Sequence, residues 1–559
     1  MAETTTTITT TKHALIGEVK GIIRTDEGVT PHQGVRQYLG IQYATLKDRF
    51  APAVLREYDG KTSVDATTMG PQTAPLPEGA EHEQDLIQHR LSSTGPIEFS
   101  DTEALNLNIT YPVPTNREDF VWQSDNLLPV FLFVHGGGFQ VGSASFPQYD
   151  MARFVRLSYQ KGHPIIAVTV NYRLGPPGLL NSREMREEGY LANNCLRDQR
   201  VAIEWVRKFI GGFGGDSENI TLAGESAGAI SCSYHLQSKA PLFKRVMLMS
   251  GTNLLIPPLP LEVAEQSYAS AVKALGLEKK SVEERMTRLR SIDAAELREK
   301  LMMVPMLPVA EDELPVASHT FADFYAGTSG GEVEIAGAKW CESMMIGDCA
   351  FDGNIQGLRL GHRKKGIGKS FCDALKTSSL NPGQAEKLLN GYNITSDLED
   401  DTAFERVLQT LNDIGFYAPT LAFAEGLSSR MKTYVYRFNE PNPWAGPWQG
   451  RTNHILDTAF LFQNFNEFLD DAQQSTAEAF AVSVFKFVTG EAPWKASRNE
   501  GHGKVAMVMG PHGKGEVVED VPGETGRRAI LLDLAEEVEG GMDRLGEVLN
   551  GFLRGPPAS

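Results

Sequence analysis

A serine framed by glycines in the pattern Gly-x-Ser-x-Gly suits nucleophilic chemistry, because small neighbours allow a sharp strand-to-helix turn that presents the hydroxyl. The 559-residue sequence contains two matches, Gly224-Glu225-Ser226-Ala227-Gly228 and Gly327-Thr328-Ser329-Gly330-Gly331. With 54 glycines in the chain the pattern alone is weak, and its surroundings decide. A nucleophile elbow needs a strand before it and a helix after it, whose N-terminus favours negative charge. Ser226 has NITLA before it and AISCSYHLQ after it. Ser329 leads into GEVEIAG, which opens no helix, and reads as loop.

A second group of residues fits the same chemistry. His135-Gly136-Gly137-Gly138-Phe139 follows the apolar run PVFLFV directly. Consecutive glycines let bare backbone N–H groups converge on one point, as a tetrahedral oxyanion requires, and H-G-G-G beside an elbow is a lipase and esterase signal. Gly137, Gly138 and the N–H of Ala227 are the expected donors, with His135 holding the loop. In this strand–elbow–helix plan the acid and then the histidine follow the serine. Of the 12 histidines, those beyond the expected helix 226–237 are His319, His362, His454, His502 and His512. His502 and His512 fall in a Gly/Lys-rich stretch, and His319 and His362 come too early to leave a strand for the acid. His454 follows the strand-like TYVYRFN and a Pro/Trp/Gly-rich loop, where a base must sit. The acid should follow SMMIG, where Asp348 and Asp352 both stand. Asp352 is favoured, since it lies far enough past the strand to fold back. Asp348 adjoins the strand end, where it would as easily cap a turn.

These side chains need a scaffold. PVFLFVH and PIIAVTVNY are continuous apolar runs, as in central strands covered on both faces. Further strands are expected at Ile16–Arg24, Val35–Tyr43, Leu105–Thr110, Ile220–Leu222 and Val246–Met249. A periodic helix spans Leu196–Ile210, and 226–237 forms another. Alternating strands and helices predict a mostly parallel sheet flanked by helices. Residues 1–12 read as a disordered Thr-rich lead, and 13–559 as one α/β domain with a helical, cap-like insertion at about 260–345. Residues 495–530 read as a surface excursion and 531–553 as the last helix.

Composition excludes several classes. The chain is 41% hydrophobic and 22% charged, as in soluble globular proteins. Its 71 acidic and 53 basic residues give a net charge of −18, which argues against nucleic acid as a partner. No run of 18 apolar residues predicts a membrane span, and the threonine-rich start shows no secretory signal. Cys195, Cys232, Cys341, Cys349 and Cys372 fit no zinc pattern and read as buried thiols without disulfides, suiting a reducing compartment. Nothing in the sequence sets an oligomeric state.

Taken together, the motifs resemble the type-B carboxylesterase/lipase family, which includes cholinesterases and fungal lipases. The resemblance runs through LNLNI (105–109), HGGGF (135–139), NYRLGPPG (171–178), LRDQRVAIEWV (196–206), FGGDSENITLAGESAG (213–228), MSG (249–251), IGDCAFDG (346–353) and NHILDTAFLF (453–462). It implies the α/β-hydrolase fold, a small-molecule ester substrate, a serine acyl-enzyme and no cofactor or metal. It also supports Asp352, since the family's acid precedes a glycine there, and places Glu225 and Phe139 near the site. The family's usual cysteine positions hold Thr73 and Ala104 instead. The paired loss fits a cytoplasmic protein, and Asn108 and Asn219 lie in or beside expected core strands where a glycan would not fit. The loop between Thr73 and Ala104 has no tryptophan, which makes a choline ester an unexpected substrate. Two rivals stay open. One is an acyltransferase, or a lactone-forming or lactone-opening enzyme, using the same triad. The other is a non-catalytic cholinesterase-like interaction protein, although such relatives lose the serine or histidine that this chain keeps.

Overall fold

Phe131 and Phe133 of the strand Leu128–Val134 enter one buried apolar cluster, while Val130, Leu132 and Val134 enter another. The same alternation recurs in Arg245–Met249, where Val246 and Leu248 pack on one side and Met247 and Met249 on the other. A sheet buried on both faces leaves few positions for polar residues, which is why Val130–Val134 and Val246–Met249 read as unbroken apolar runs.

The structure is a computed structural model, and it describes residues 4–26, 34–74, 76, 78–92, 98–113, 126–311, 314, 316–328, 333–497, 505–511, 513, 515–519 and 526–555. Its principal strands are β1 (Thr4–His13), β2 (Gly17–Asp26), β3 (Gly34–Gln42), β4 (Thr62–Asp65), β5 (Asn106–Val113), β6 (Leu128–Val134) and β7 (Ile166–Val170). They continue with β8 (Gly215–Glu225), β9 (Arg245–Met249), β10 (Ser343–Cys349), β11 (Lys432–Phe438), β12 (Val505–Met509) and β13 (Gly515–Glu519). All belong to one sheet of order β1-β2-β3-β5-β7-β6-β8-β9-β10-β11-β12-β13, with β4 beside β2. From β7 to β12 every neighbouring pair is parallel. The C-terminal ends of these strands therefore share one edge, where the loops of an open α/β sheet gather functional residues.

Helices cover both faces. Asn194–Phe209 contributes Ile203, Trp205 and Val206 to the first cluster, and Asp471–Thr489 contributes Phe480, Val484 and Phe485 to the second. The Asn194–Phe209 helix is also tied down electrostatically. Arg173 binds buried Asp198 through Nη2 at 2.6 Å and Nε at 2.8 Å, and its Nη1 donates to Ala51 O at 2.7 Å. The insertion between β9 and β10 is helical as expected, with helices Leu261–Ala274, Val282–Ser291, Ala294–Leu301 and Phe321–Thr328. All five cysteines are buried and unpaired. No helix among the described residues is long and apolar enough to cross a membrane.

Three expectations need correction. The threonine-rich lead is not disordered over its described part, because Thr4–His13 is a strand in antiparallel register with β2. Thr and Ile are β-branched and favour strands, so the low complexity concealed a strand pattern. The 495–530 stretch is not merely a surface excursion: β12 and β13 extend the sheet beyond β11. The last helix is two helices, Arg527–Glu537 and Gly541–Arg554, broken at Gly540, which adopts φ 89°. Ser329, His502 and His512 lie outside the described residues.

Candidate active site

Ser226 follows β8 directly and caps the helix Ala227–His235, with φ 52° and ψ −123°. Holding a non-glycine residue in so sparse a region costs roughly 1–3 kcal/mol, which the surrounding structure must impose. Here the constraint is explicit. Ser226 N donates to Met249 O at 2.9 Å, and Ile230 N donates to Ser226 O at 2.9 Å. Neither flanking glycine tolerates a side chain. A Cβ at Gly224 would lie 2.4 Å from the Gly228 carbonyl, and one at Gly228 would lie 2.0 Å from Val134 O. The motif's glycines thus let the elbow pack against β6.

The glycine loop leaves β6 at His135. Gly137 (φ 98°) and Gly138 (φ 60°) both take conformations that favour glycine. A Cβ at Gly137 would collide with Val141 O at 2.1 Å, whereas Gly138 is exposed and opens on free space. His135 is a supporting residue: its ring stacks on Tyr172 at 4.5 Å, and the Tyr172 hydroxyl donates to His135 O at 2.8 Å. Burial pushes the His135 imidazole down to about 4, so it stays neutral. Phe139 is fully buried in the core, and its carbonyl accepts from Gly175 N at 2.8 Å. Its ring anchors the loop instead of lining open space.

Asp352 and His454 meet across 102 residues, with His454 Nδ1 2.7 Å from Asp352 Oδ1. The other carboxylate oxygen accepts from Ser250 Oγ at 3.0 Å and from Cys349 N at 2.8 Å. The loops that carry the two are joined as well: His454 N donates to Asn354 Oδ1 at 2.8 Å and Phe351 N to Thr452 O at 2.9 Å. A Cβ at Gly353 would sit 2.3 Å from Leu408 O, which explains the glycine after the acid. Asp348 goes elsewhere. It stands opposite Arg437 in the β10–β11 register and forms a buried ion pair with it. His319 hydrogen-bonds the Asn253 and Gln237 side chains, outside this cluster.

Glu225 is almost wholly buried, and its Oε1 lies 3.2 Å from His454 Nε2. Burial pushes the Glu225 carboxyl well above the usual carboxylate range. For His454 burial acts downward, but the Glu225 charge and the Asp352 hydrogen bond outweigh it and push the imidazole up to about 9. The Glu225 charge thus favours the imidazolium, and His454 is a base only when its ring is neutral. Replacing Glu225 by Gln removes the largest influence favouring the imidazolium. The imidazole pKa should fall, and the acidic limb of the pH profile of kcat/KM should move to lower pH by about one unit. A p-nitrophenyl acetate assay across pH reads this directly; an unmoved or upward-moved limb contradicts the coupling.

Sequence reasoning missed several members of this cluster. Ser250, within the MSG motif, binds the acid from a backbone at φ 51°. Asp457 lies three residues after His454, accepts from the Tyr436 hydroxyl at 2.7 Å, and is pushed by burial up to about 6. The Phe416 ring lies 5.4 Å from the His454 ring. It is carried by a π-helical turn, Asp413–Tyr417, that no sequence period announces. Motif spacing signalled Ser250 and Asp457 without giving them a role.

The chain is similar to known esterases in sequence and in fold. A family model described as "Carboxylesterase family" matches residues 4–505. Para-nitrobenzyl esterase of Bacillus subtilis (strain 168) is 28% identical over 467 residues, spanning 80% of this chain and 82% of that protein. Pyrethroid hydrolase Ces2a of Mus musculus is 28% identical over 456 residues, spanning 77% and 74%. Among solved structures, a PNB esterase superposes with TM-score 0.69 at 24% identity, covering 94% of this chain and 99% of its own. That likeness establishes the fold as the α/β-hydrolase fold.

Proposed function

The chain belongs to the carboxylesterase family and is a carboxylic ester hydrolase; from that premise we propose that it cleaves small-molecule esters through an acyl-enzyme on Ser226. The observation that carries this reading is a strained Ser226 whose neighbour Glu225 lies 3.2 Å from His454 Nε2, on the same ring that holds Asp352 at 2.7 Å. His454 accepts the Ser226 proton as Oγ attacks the ester carbonyl. The oxyanion is held by the N–H groups of Gly137, Gly138 and Ala227, each such donor contributing roughly 3 kcal/mol. The imidazolium protonates the departing alcohol, leaving the acyl group on Oγ. Water then enters, gives a proton to His454, and attacks the acyl carbon. Collapse releases the acid and returns the proton to Ser226. Asp352 orients the imidazole and stabilises its charged form without taking the proton. Five buried, unpaired thiols support a reducing, cytoplasmic setting.

Rapid acid quench after mixing with a p-nitrophenyl ester, followed by peptide mass spectrometry, should find one acyl group on the Ser226 peptide. No adduct on that peptide, with turnover intact, overturns the reading. An added alcohol separates release to water from acyl transfer: the hydrolase makes free acid as its main product.

A further inference from the structure

Beside the glycine loop lies a second feature, a narrow cleft of about 80 Å³, open to solvent, between that loop and the helix Ala294–Leu301. Gln140 forms part of its wall, two residues beyond Gly138 and so within about 7 Å of it along the chain. Most of the lining is apolar, including Phe99, Leu174, Leu297, Leu301 and Met302. Two guanidinium groups also reach it, Arg49 and Arg298.

Their hydrogen-bonding state is unusual. The Arg49 side chain is 7% exposed; its Nη2 pairs with Asp101, while its Nη1 is buried with no hydrogen-bond partner. Arg298 is half-buried, and no hydrogen bond or ion pair engages it among the described residues. Burial lowers its pKa with no carboxylate to offset the effect. The nearby acids are committed elsewhere. Asp101 is held by Arg49, Asp293 caps the helix through Ala295 N and Glu296 N at 3.0 Å each, and Glu296 pairs with Arg288 and Lys300. Two cations and one lining carboxylate leave the cleft with excess positive charge, although the whole protein carries −18.

Resting on the ester-hydrolase reading of Ser226, we propose that this cleft is a subsite for an amphiphilic anion. Its occupant is the far end of an ester substrate whose apolar acyl chain ends in a carboxylate, with Arg298 as the recognising cation. The apolar walls take the methylene chain, and the guanidinium supplies the charge-assisted hydrogen bonds that carboxylates form best with arginine. Binding energy from this remote group would act on the positioning of the ester at Ser226.

The test compares the mono-p-nitrophenyl ester of suberic acid with p-nitrophenyl octanoate, which matches it in chain length but lacks the carboxylate. The intact protein should favour the hemi-ester by about tenfold in kcat/KM, and Arg298→Gln should remove that preference while leaving octanoate turnover unchanged. Arg298→Lys, which keeps the charge, should retain part of it. Equal rates on both esters in the intact protein, or an equal loss on both in Arg298→Gln, would overturn the proposal. Calorimetric binding of both esters to Ser226→Ala separates the two readings. Tighter binding of the hemi-ester without any turnover by the intact protein would sink the hydrolase mechanism and keep the subsite. Turnover of both esters with equal binding would do the reverse.

Discussion

Ser226→Ala should lower kcat/KM on a short-chain p-nitrophenyl ester by about 10⁴- to 10⁶-fold, with the folded structure unchanged. The size follows from what the hydroxyl does. Without Oγ no acyl-enzyme forms, and only substrate binding and the oxyanion donors remain to assist attack by water. Stability should not fall, because the strain at φ 52° is set by the backbone bonds to Met249 and Ile230, which alanine retains. Circular dichroism and thermal unfolding check the fold, and an active-site titration excludes wild-type contamination. Activity within tenfold of wild type would remove Ser226 from the mechanism.

Asp352→Asn and Asp348→Asn should behave in opposite ways, although only four positions separate them. An asparagine at 352 can direct its amide N–H₂ at His454 Nδ1, which forces the proton onto Nε2 and leaves no base facing the serine. A loss of about 10⁴-fold in kcat is expected, with little change in stability, since Ser250 and Cys349 N still find an acceptor. At 348 the substitution removes the negative charge opposite a buried arginine. Arg437 is held over the Tyr417 ring at 4.8 Å and has no route to water, so roughly 3–5 kcal/mol of stability should be lost. The surviving folded fraction should turn over at near the wild-type rate. Denaturant titration with kcat corrected for the folded fraction distinguishes the two; a catalytic collapse at 348 with normal turnover at 352 would exchange their roles.

The four-residue offset also shows where sequence reading reached its limit. Both aspartates follow the same apolar run, and a glycine after Asp352 favoured it without excluding the other. The decision lies in the register: Asp348 is still inside β10, opposite Arg437, while Asp352 is past the strand end and free to turn. Likewise, Gly137, Gly138, Ser226 and His454 were legible as types in order, but not the 3.2 Å approach of Glu225 to His454. The threonine lead misled for a related reason, since pairing with β2 outweighed its low complexity.

What the sequence determined by itself was the local plan: apolar runs that must be covered on both faces, a serine between glycines at a strand–helix junction, and a glycine loop beside it. These follow from short-range rules of period, backbone conformation and steric size, which a few neighbouring residues fix. Tertiary structure alone decided which acid meets the histidine, that Glu225 lies against its ring, that Phe139 serves the core, and that two arginines face a cleft. Each of those depends on residues far apart in the chain brought within a few ångströms, and on the burial that makes their charges interact strongly.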